Sequence, residues 1–302
     1  MSTLGIILSA GNSSRLYPAT FPVTKQLLPV YDKPLVYYPL STLMLAGIRD
    51  IVVIVSPPEL DAWKKLIQMS GLDQFMNIFL LTQDRPTGIP DAFNIVSGHF
   101  SITEQHKKYD RIALILGDNL FHGASLTGQI QTALAQADHN AAIFGHKVHD
   151  LHRFGVINVA QRPYTIAEKP SIIEDPKNSF AIPGLYLFPN DVFFYAKNLK
   201  PSKRGETEIT DLISHYRDCE RLYVETLHRG IAWFDTGTPE ALLNASQYIA
   251  SVQLNQGFLV GSPHEVALRN GWISKEELLE YCKSKGSGQY IHHLKVLADE
   301  YE

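Results

Sequence analysis

Short apolar runs recur through the first half of the chain, at residues 4–8, 51–55, 78–81, 112–116 and 141–144. Helical patterns separate them, including residues 34–47 and 58–69, the latter with Asp61, Lys64 and Lys65 on its wet side. Strand and helix in alternation predict an α/β fold: a Rossmann-like, mostly parallel sheet covered by helices on both faces. Ligands of such sheets sit at the carboxyl ends of the strands.

Beyond about residue 150 the pattern is more mixed. Strands are expected at 154–159, 165–167 and 184–188, with turns at Arg162-Pro163 and Pro189-Asn190, and they read as a continuation of the same sheet carrying a sugar-sized pocket. Helices are expected at 191–198, 208–217 and 239–256. The remainder has helical patterning at 275–285 and a Gly286-Ser287-Gly288 break before a last helix, which makes a helical C-terminal appendage that caps the domain or forms a subunit contact.

With 302 residues, 45% of them hydrophobic and 19% charged, the chain can bury a full core. A net charge of −4 offers no broad basic field, which argues against nucleic-acid binding and means that a small anionic ligand needs a local cluster of cations. Cys219 and Cys282 form neither a disulfide framework nor a metal-ligand spacing; both read as packing residues and fit a reducing compartment. The start of the sequence runs directly into a strand pattern, and no apolar run reaches the roughly 18 residues of a membrane span. The expectation is a soluble, cytoplasmic protein without a membrane partner.

The local cations are supplied where the first strand ends. Residues 9–14 are small and leave the backbone uncovered, Arg15 brings a planar fork of donors suited to phosphate oxygens, and Lys25 adds a second, more mobile charge. Taken alone, the segment is equally an ordinary turn with two surface cations. Neither a G-x-x-x-x-G-K-[ST] nor a G-x-G-x-x-G pattern fits it, which argues against a P-loop ATPase and a dinucleotide-binding dehydrogenase.

Carboxylates follow two further apolar stretches. Asp118, directly after the run at 112–116, is a candidate ligand for Mg²⁺, a hard cation that needs one or two carboxylates plus substrate phosphates; the alternative is a turn or cap aspartate. Asp235 in Trp233-Phe234-Asp235-Thr236-Gly237-Thr238 is a second candidate or a cap of its own turn. In Glu168-Lys169-Pro170 the lysine can bind a sugar phosphate and the glutamate can accept bonds from ring hydroxyls, or the tripeptide is a surface turn. Arg204 is a further phosphate contact or part of a solvated charge run.

The set of motifs, in this order, resembles the sugar-1-phosphate nucleotidylyltransferases, and within them the branch that transfers a thymidylyl group to glucose 1-phosphate. The resemblance runs from Ile6 through the motif ending at Thr238 to Gly288-Gln289-Tyr290, and its most specific part is the stretch from Lys25 to Pro34 together with that from Tyr37 to Ile48. It implies the nucleotide-diphospho-sugar transferase fold and a Mg²⁺-dependent reaction of dTTP with α-D-glucose 1-phosphate, giving dTDP-glucose and pyrophosphate at the head of dTDP-rhamnose synthesis. Attack by the sugar phosphate oxygen is in line and needs no protein nucleophile, so the protein's part is positioning and charge neutralisation.

Carried over by motif, Arg15 and Lys25 are catalytic and stabilise the triphosphate, with the Gly11 backbone beneath it. Gln26, Gln83 and Gly88 face the pyrimidine, Gly145 and Glu168 touch the sugar, Lys169 and Arg204 bind its phosphate, and Asp118 and Asp235 hold Mg²⁺. The implied division is a catalytic domain at 1–240, with a nucleotide part to about 145 and a sugar-phosphate part from 146, and a helical segment at 241–302 for contacts in a homotetramer. Arg229-Gly230 matches a family position near a second nucleotide site at a subunit interface.

The chain departs from the family's pattern around the ligands. Ala10 and Ser13 replace usual glycines, which adds strain or a Cβ clash if either glycine uses a positive φ, offset in part by the Ser13 hydroxyl. Pro90 lacks an N–H, and Asp91 places a charge where a neutral amide is usual. Pro183 and His146 replace a threonine and a tyrosine. Two other readings therefore stand beside the first: a relative with an altered sugar or base, UTP included, and a nucleotide-binding regulatory protein that is catalytically weak.

Overall fold

The computed structural model describes residues 2–11, 13–101 and 108–301. The chain begins with β1 (Thr3–Leu8), a small hairpin of β2 (Pro29–Val30) and β3 (Lys33–Pro34), and α1 (Tyr37–Leu45). Then follow β4 (Asp50–Val55), α2 (Leu60–Ser70), β5 (Asn77–Thr82), α3 (Asp91–Ser101), β6 (Arg111–Leu116), β7 (Asn119–His122), α4 (Leu126–Gln136) and β8 (Ala141–Gly145). The middle of the chain supplies β9 (Gly155–Asn158), β10 (Thr165–Glu168), β11 (Ser179–Ala181), β12 (Leu185–Pro189), α5 (Val192–Lys197) and α6 (Ile209–Asp218). It closes with β13 (Leu222–Thr226), β14 (Ala232–Asp235), α7 (Pro239–Gln256), α8 (Pro263–Arg269), α9 (Lys275–Ser284) and α10 (Gln289–Glu300).

Seven strands in the order β13-β8-β12-β6-β1-β4-β5 form the central sheet. Only β12 is reversed, antiparallel to both β6 and β8. The uninterrupted apolar runs follow from this burial on two sides. Ile7, Val53 and Ile115 face one core with α1, α2 and α4, while Ile6, Ile54 and Leu114 face a second core with α3, α5 and α6.

Two expectations are corrected, and one strand is unanticipated. The helix expected from residue 34 starts at Tyr37, because Lys33 and Pro34 pair with Val30 and Pro29 across a turn in which Tyr31 has φ 60°. Residues 154–189 do not simply continue the sheet: β9 pairs with β10 and β11 in a separate three-stranded sheet, and only β12 joins the main one. Finally, β13 adds an edge strand for which the pattern gave no expectation.

Helix α7 occupies its expected span of 239–256. The Thr238 hydroxyl accepts from the Ala241 N–H at 3.3 Å, Pro239 fills the first turn where no donor is needed, and Gly257 closes the helix at φ 73°. It is tied to the hairpin by a buried charge cluster: Lys33 Nζ donates to Asp32 and, at 2.9 Å, to Gln253 Oε1, while Gln253 Nε2 donates to Asp32 Oδ2 at 3.1 Å. Burial lowers the Lys33 pKa and the Asp32 charge opposes that, as expected of a buried ammonium kept with its partner. Helices α8 to α10 share an apolar cluster around Leu268, Leu278 and Leu294. Among the described residues no helix is long and apolar enough to cross a membrane.

Candidate active site

A cavity of about 420 Å³ opens at the carboxyl ends of β1, β5 and β6. Leu8, Gln83 and Leu116 mark those strand ends on its wall. Opposite them, Phe154, Glu168, Arg204 and Trp233 come from the second half of the chain.

Two carboxylates meet on this wall because of strand pairing. β7 and β14 are antiparallel with Asn119 opposite Asp235, which sets Asp118 beside Asp235. The Thr236 N–H and hydroxyl both donate to the Asp118 carbonyl, at 3.1 and 2.8 Å, and lock the two segments together. Asn119 is buried as a hub: its Oδ1 accepts from the Gly184 N–H at 3.1 Å and from Trp233 Nε1 at 2.7 Å, and its Nδ2 donates to Asp118 Oδ1 at 2.9 Å. A Cβ at Gly184 would stand 2.9 Å from Asn119 Oδ1, so the close approach requires glycine.

Lys25 Nζ donates to Asp118 Oδ2. Burial pushes the Asp118 carboxyl up, but the Lys25 charge and hydrogen bond and the Asn119 amide outweigh it and hold the group below the usual range. Asp235 goes the other way. Burial, with the Asp118 charge added, raises its pKa against the opposing charges of Lys25, Arg15 and Arg153. Arg153 Nη2 lies 4.0 Å from Asp235 Oδ2. The two neighbouring carboxyls are thus shifted in opposite directions, Asp118 down and Asp235 up.

Further along the wall, Glu168 Oε1 is 3.5 Å from both Lys169 Nζ and Arg204 Nη1. Arg204 also faces Glu206 at 3.3 Å and Glu208 at 3.6 Å. Gly88 joins this side to the Gln83 side: it forms a parallel bridge with Thr207, whose N–H donates to the Thr87 carbonyl at 2.8 Å. With φ at 115° and the Thr207 backbone pressed against it, position 88 tolerates only glycine.

Of the residues singled out in the sequence, Arg15, Lys25, Gln26, Gln83, Gly88, Asp118, Glu168, Lys169, Arg204 and Asp235 line the cavity. Gly11 and Gly145 do not. The Gly11 N–H points to Ser56 Oγ at 3.4 Å, and Gly145 ends β8 against Phe180. Ser13 has φ 46°, the left-handed conformation of the usual glycine, and its buried hydroxyl has no partner among the described residues, so the expected offset is not made there. Pro90 precedes the first residue of α3, where a missing N–H costs nothing. Arg153 was missed in the sequence; the string Arg153-Phe154-Gly155 was the available signal, since all three line the cavity.

The sequence pattern of the nucleotidyl transferase family matches residues 4–252. The chain belongs to the nucleotidyl transferase family. It is 44% identical to a glucose-1-phosphate thymidylyltransferase of Neisseria meningitidis, over 96% of this chain and 97% of that one. It is 42% identical to the glucose-1-phosphate thymidylyltransferase of Mycolicibacterium smegmatis, over 98% of this chain and 99% of the other. Among solved structures, a Bacillus anthracis protein assigned as a glucose-1-phosphate thymidylyltransferase superposes with a TM-score of 0.69 at 32% identity, covering 82% of this chain and 95% of its own. A UDP-glucose pyrophosphorylase bound to UDP-glucose shares the fold, with a TM-score of 0.70 at 21% identity over 83% of this chain and 100% of its own.

Proposed function

We propose that the cavity joins dTTP and α-D-glucose 1-phosphate, releasing pyrophosphate and forming dTDP-glucose. The observation that carries the reading is the set of charges that line one cavity: Arg15 and Lys25 from the loop after β1, the Asp118 and Asp235 carboxylates side by side, and Lys169 with Arg204 around Glu168. That set suits a triphosphate and a sugar phosphate held together.

Arg15 and Lys25 bind the triphosphate and stabilise the charge that accumulates on the departing pyrophosphate. Lys169 and Arg204 orient the sugar phosphate so that its oxygen approaches the α-phosphorus in line, while Glu168 accepts from ring hydroxyls. Gln26, Gln83 and Gly88 take the base. Gly11 and Gly145 act from outside the cavity wall, by shaping the loops beside the triphosphate and the sugar. The oxygen donors of Asp118 and Asp235, side by side across the β7–β14 pair, suit Mg²⁺, which would favour the ionised form of Asp235 that burial and the Asp118 charge disfavour. Mg²⁺, when bound, neutralises phosphate charge.

In the same reading, residues 1–240 are the catalytic domain and 241–302 a helical segment for subunit contacts in a homotetramer, supported by exposed Leu243, Leu254 and Phe258. Two free thiols support a cytoplasmic setting. Pyrophosphate release, measured with and without Mg²⁺ across nucleoside triphosphates and sugar 1-phosphates, tests the function. Rapid release with dTTP and glucose 1-phosphate supports it; release only with another pair, or nucleotide binding without turnover, refutes it.

A further inference from the structure

We propose that Asp91 is a positioning residue that fixes the Gln83 side-chain amide, so that the amide oxygen faces the cavity and a base must offer a ring N–H to it. Gln83 follows β5 and is 6% exposed; its backbone N–H donates to the Val55 carbonyl at 2.9 Å, which fixes the residue's root. Its side-chain Nε2 donates to Asp91 Oδ2 at 2.9 Å, and the Thr87 hydroxyl donates to the same oxygen at 2.6 Å. The other carboxylate oxygen lies 3.5 Å from Asn94 Nδ2. An ionised carboxylate can only accept, so the nitrogen end of Gln83 must be the end that meets it. Asp91 is the first residue of α3, so its place is fixed by the start of that helix.

Gln83 lines the cavity and Asp91 does not, so Asp91 acts through its neighbour. With Nε2 held, Oε1 is the polar atom that Gln83 presents to a ligand. Thymine and uracil carry an N–H at ring position 3; cytosine has an acceptor there. Opposite Oε1 the first pair gains a hydrogen bond, while cytosine sets two acceptors against each other in a buried site. A neutral amide at 91 can present either oxygen or nitrogen and leaves Gln83 free to turn. The charge that stands in place of the usual neutral amide is therefore used on Gln83 and Thr87. This inference rests on the reading that the cavity takes a pyrimidine nucleoside triphosphate.

The test compares kcat/KM for dTTP and dCTP, at saturating glucose 1-phosphate, in the wild type, Asp91→Asn, Gln83→Glu and the Gln83→Glu/Asp91→Asn double variant. Asp91→Asn should lower the dTTP to dCTP ratio by about tenfold or more, with the dTTP loss chiefly in KM. Gln83→Glu sets two carboxylates against each other and should lose dTTP turnover. The double variant exchanges donor and acceptor but keeps an oxygen facing the cavity, so it should recover the dTTP preference. An unchanged ratio in folded Asp91→Asn, or a double variant no better than the sum of its parts, overturns the proposal. A merely structural role would slow both nucleotides alike and leave the ratio where it was. Failure of the function reading looks different: the wild type itself then turns over neither pyrimidine nucleotide.

Discussion

Lowering the pH tests how α8 and α10 are held, because His264 is 1% exposed and belongs to a directed chain of hydrogen bonds. Its Nε2 lies 2.8 Å from the Ser70 carbonyl, which can only accept, so that nitrogen carries the proton. Nδ1, 2.9 Å from the Tyr290 hydroxyl, is then the acceptor, and Tyr290 in turn is 2.8 Å from Ser262 Oγ. Burial lowers the His264 pKa to about 4 from the ordinary 6.5, partly countered by the Ser70 carbonyl. A proton on Nδ1 would face a hydroxyl that has already turned toward it, and would sit uncompensated among Tyr37, Phe75 and Tyr281.

The unfolded chain takes up this proton as the pH falls through 6.5, whereas the folded chain resists until about 4. Stability from this group is therefore complete above 6.5 and is lost between 6.5 and 4. The gap corresponds to about 3 kcal/mol in full and about 2 kcal/mol at pH 5. Urea unfolding followed by tryptophan fluorescence, at about pH 7.5 and about pH 5, reads it against His264→Gln, which keeps a donor and an acceptor without titrating. The wild type should lose about 2 kcal/mol more than the variant over that interval. Parallel losses in the two chains would refute the buried, neutral imidazole.

Other perturbations address the cavity. Asp118→Asn should cut metal-dependent pyrophosphate release by about a thousandfold while leaving the far-UV circular dichroism spectrum unchanged. Gly88→Ala drives a Cβ into the Thr207 backbone and should lower kcat/KM by about a hundredfold for both substrates, since it displaces the bridge between the two sides of the cavity. Arg204→Met should raise the KM for glucose 1-phosphate by about tenfold or more and the KM for dTTP by less than about twofold, read from initial rates. Ser13→Gly removes a left-handed serine and should stabilise the chain by about 1 kcal/mol in thermal unfolding.

The five apolar runs are legible because each is four or five apolar residues long, even at β5, which is half-buried at one edge of the sheet. At the opposite edge β13 is equally half-buried, but Glu225 cuts its apolar stretch to Leu222, Tyr223 and Val224, too short to read as a strand. The same distinction holds within the cavity. Asp118 and Gln83 stand directly after strands, so position in the sequence already places them at the sheet's carboxyl end. Arg153 sits in a short polar turn before β9 and reaches Asp235 only because β9 leaves the main sheet for one of its own. What ties Asp118 to Thr236 spans 118 residues, a distance over which no periodicity carries information.

Substitutions relative to a family pattern are harder still, because their sign depends on partners. Read alone, Ser13 and Asp91 both look unfavourable, one through backbone strain and the other through charge. In the fold they part company. Ser13 keeps the glycine conformation without a partner for its hydroxyl, whereas Asp91 meets donors from Gln83 and Thr87. A carboxylate with two donors in place is stabilised, and it constrains them in return. The same negative charge thus holds the nitrogen end of Gln83 and the Thr87 hydroxyl, so the departure has partners in the fold that the sequence alone does not show.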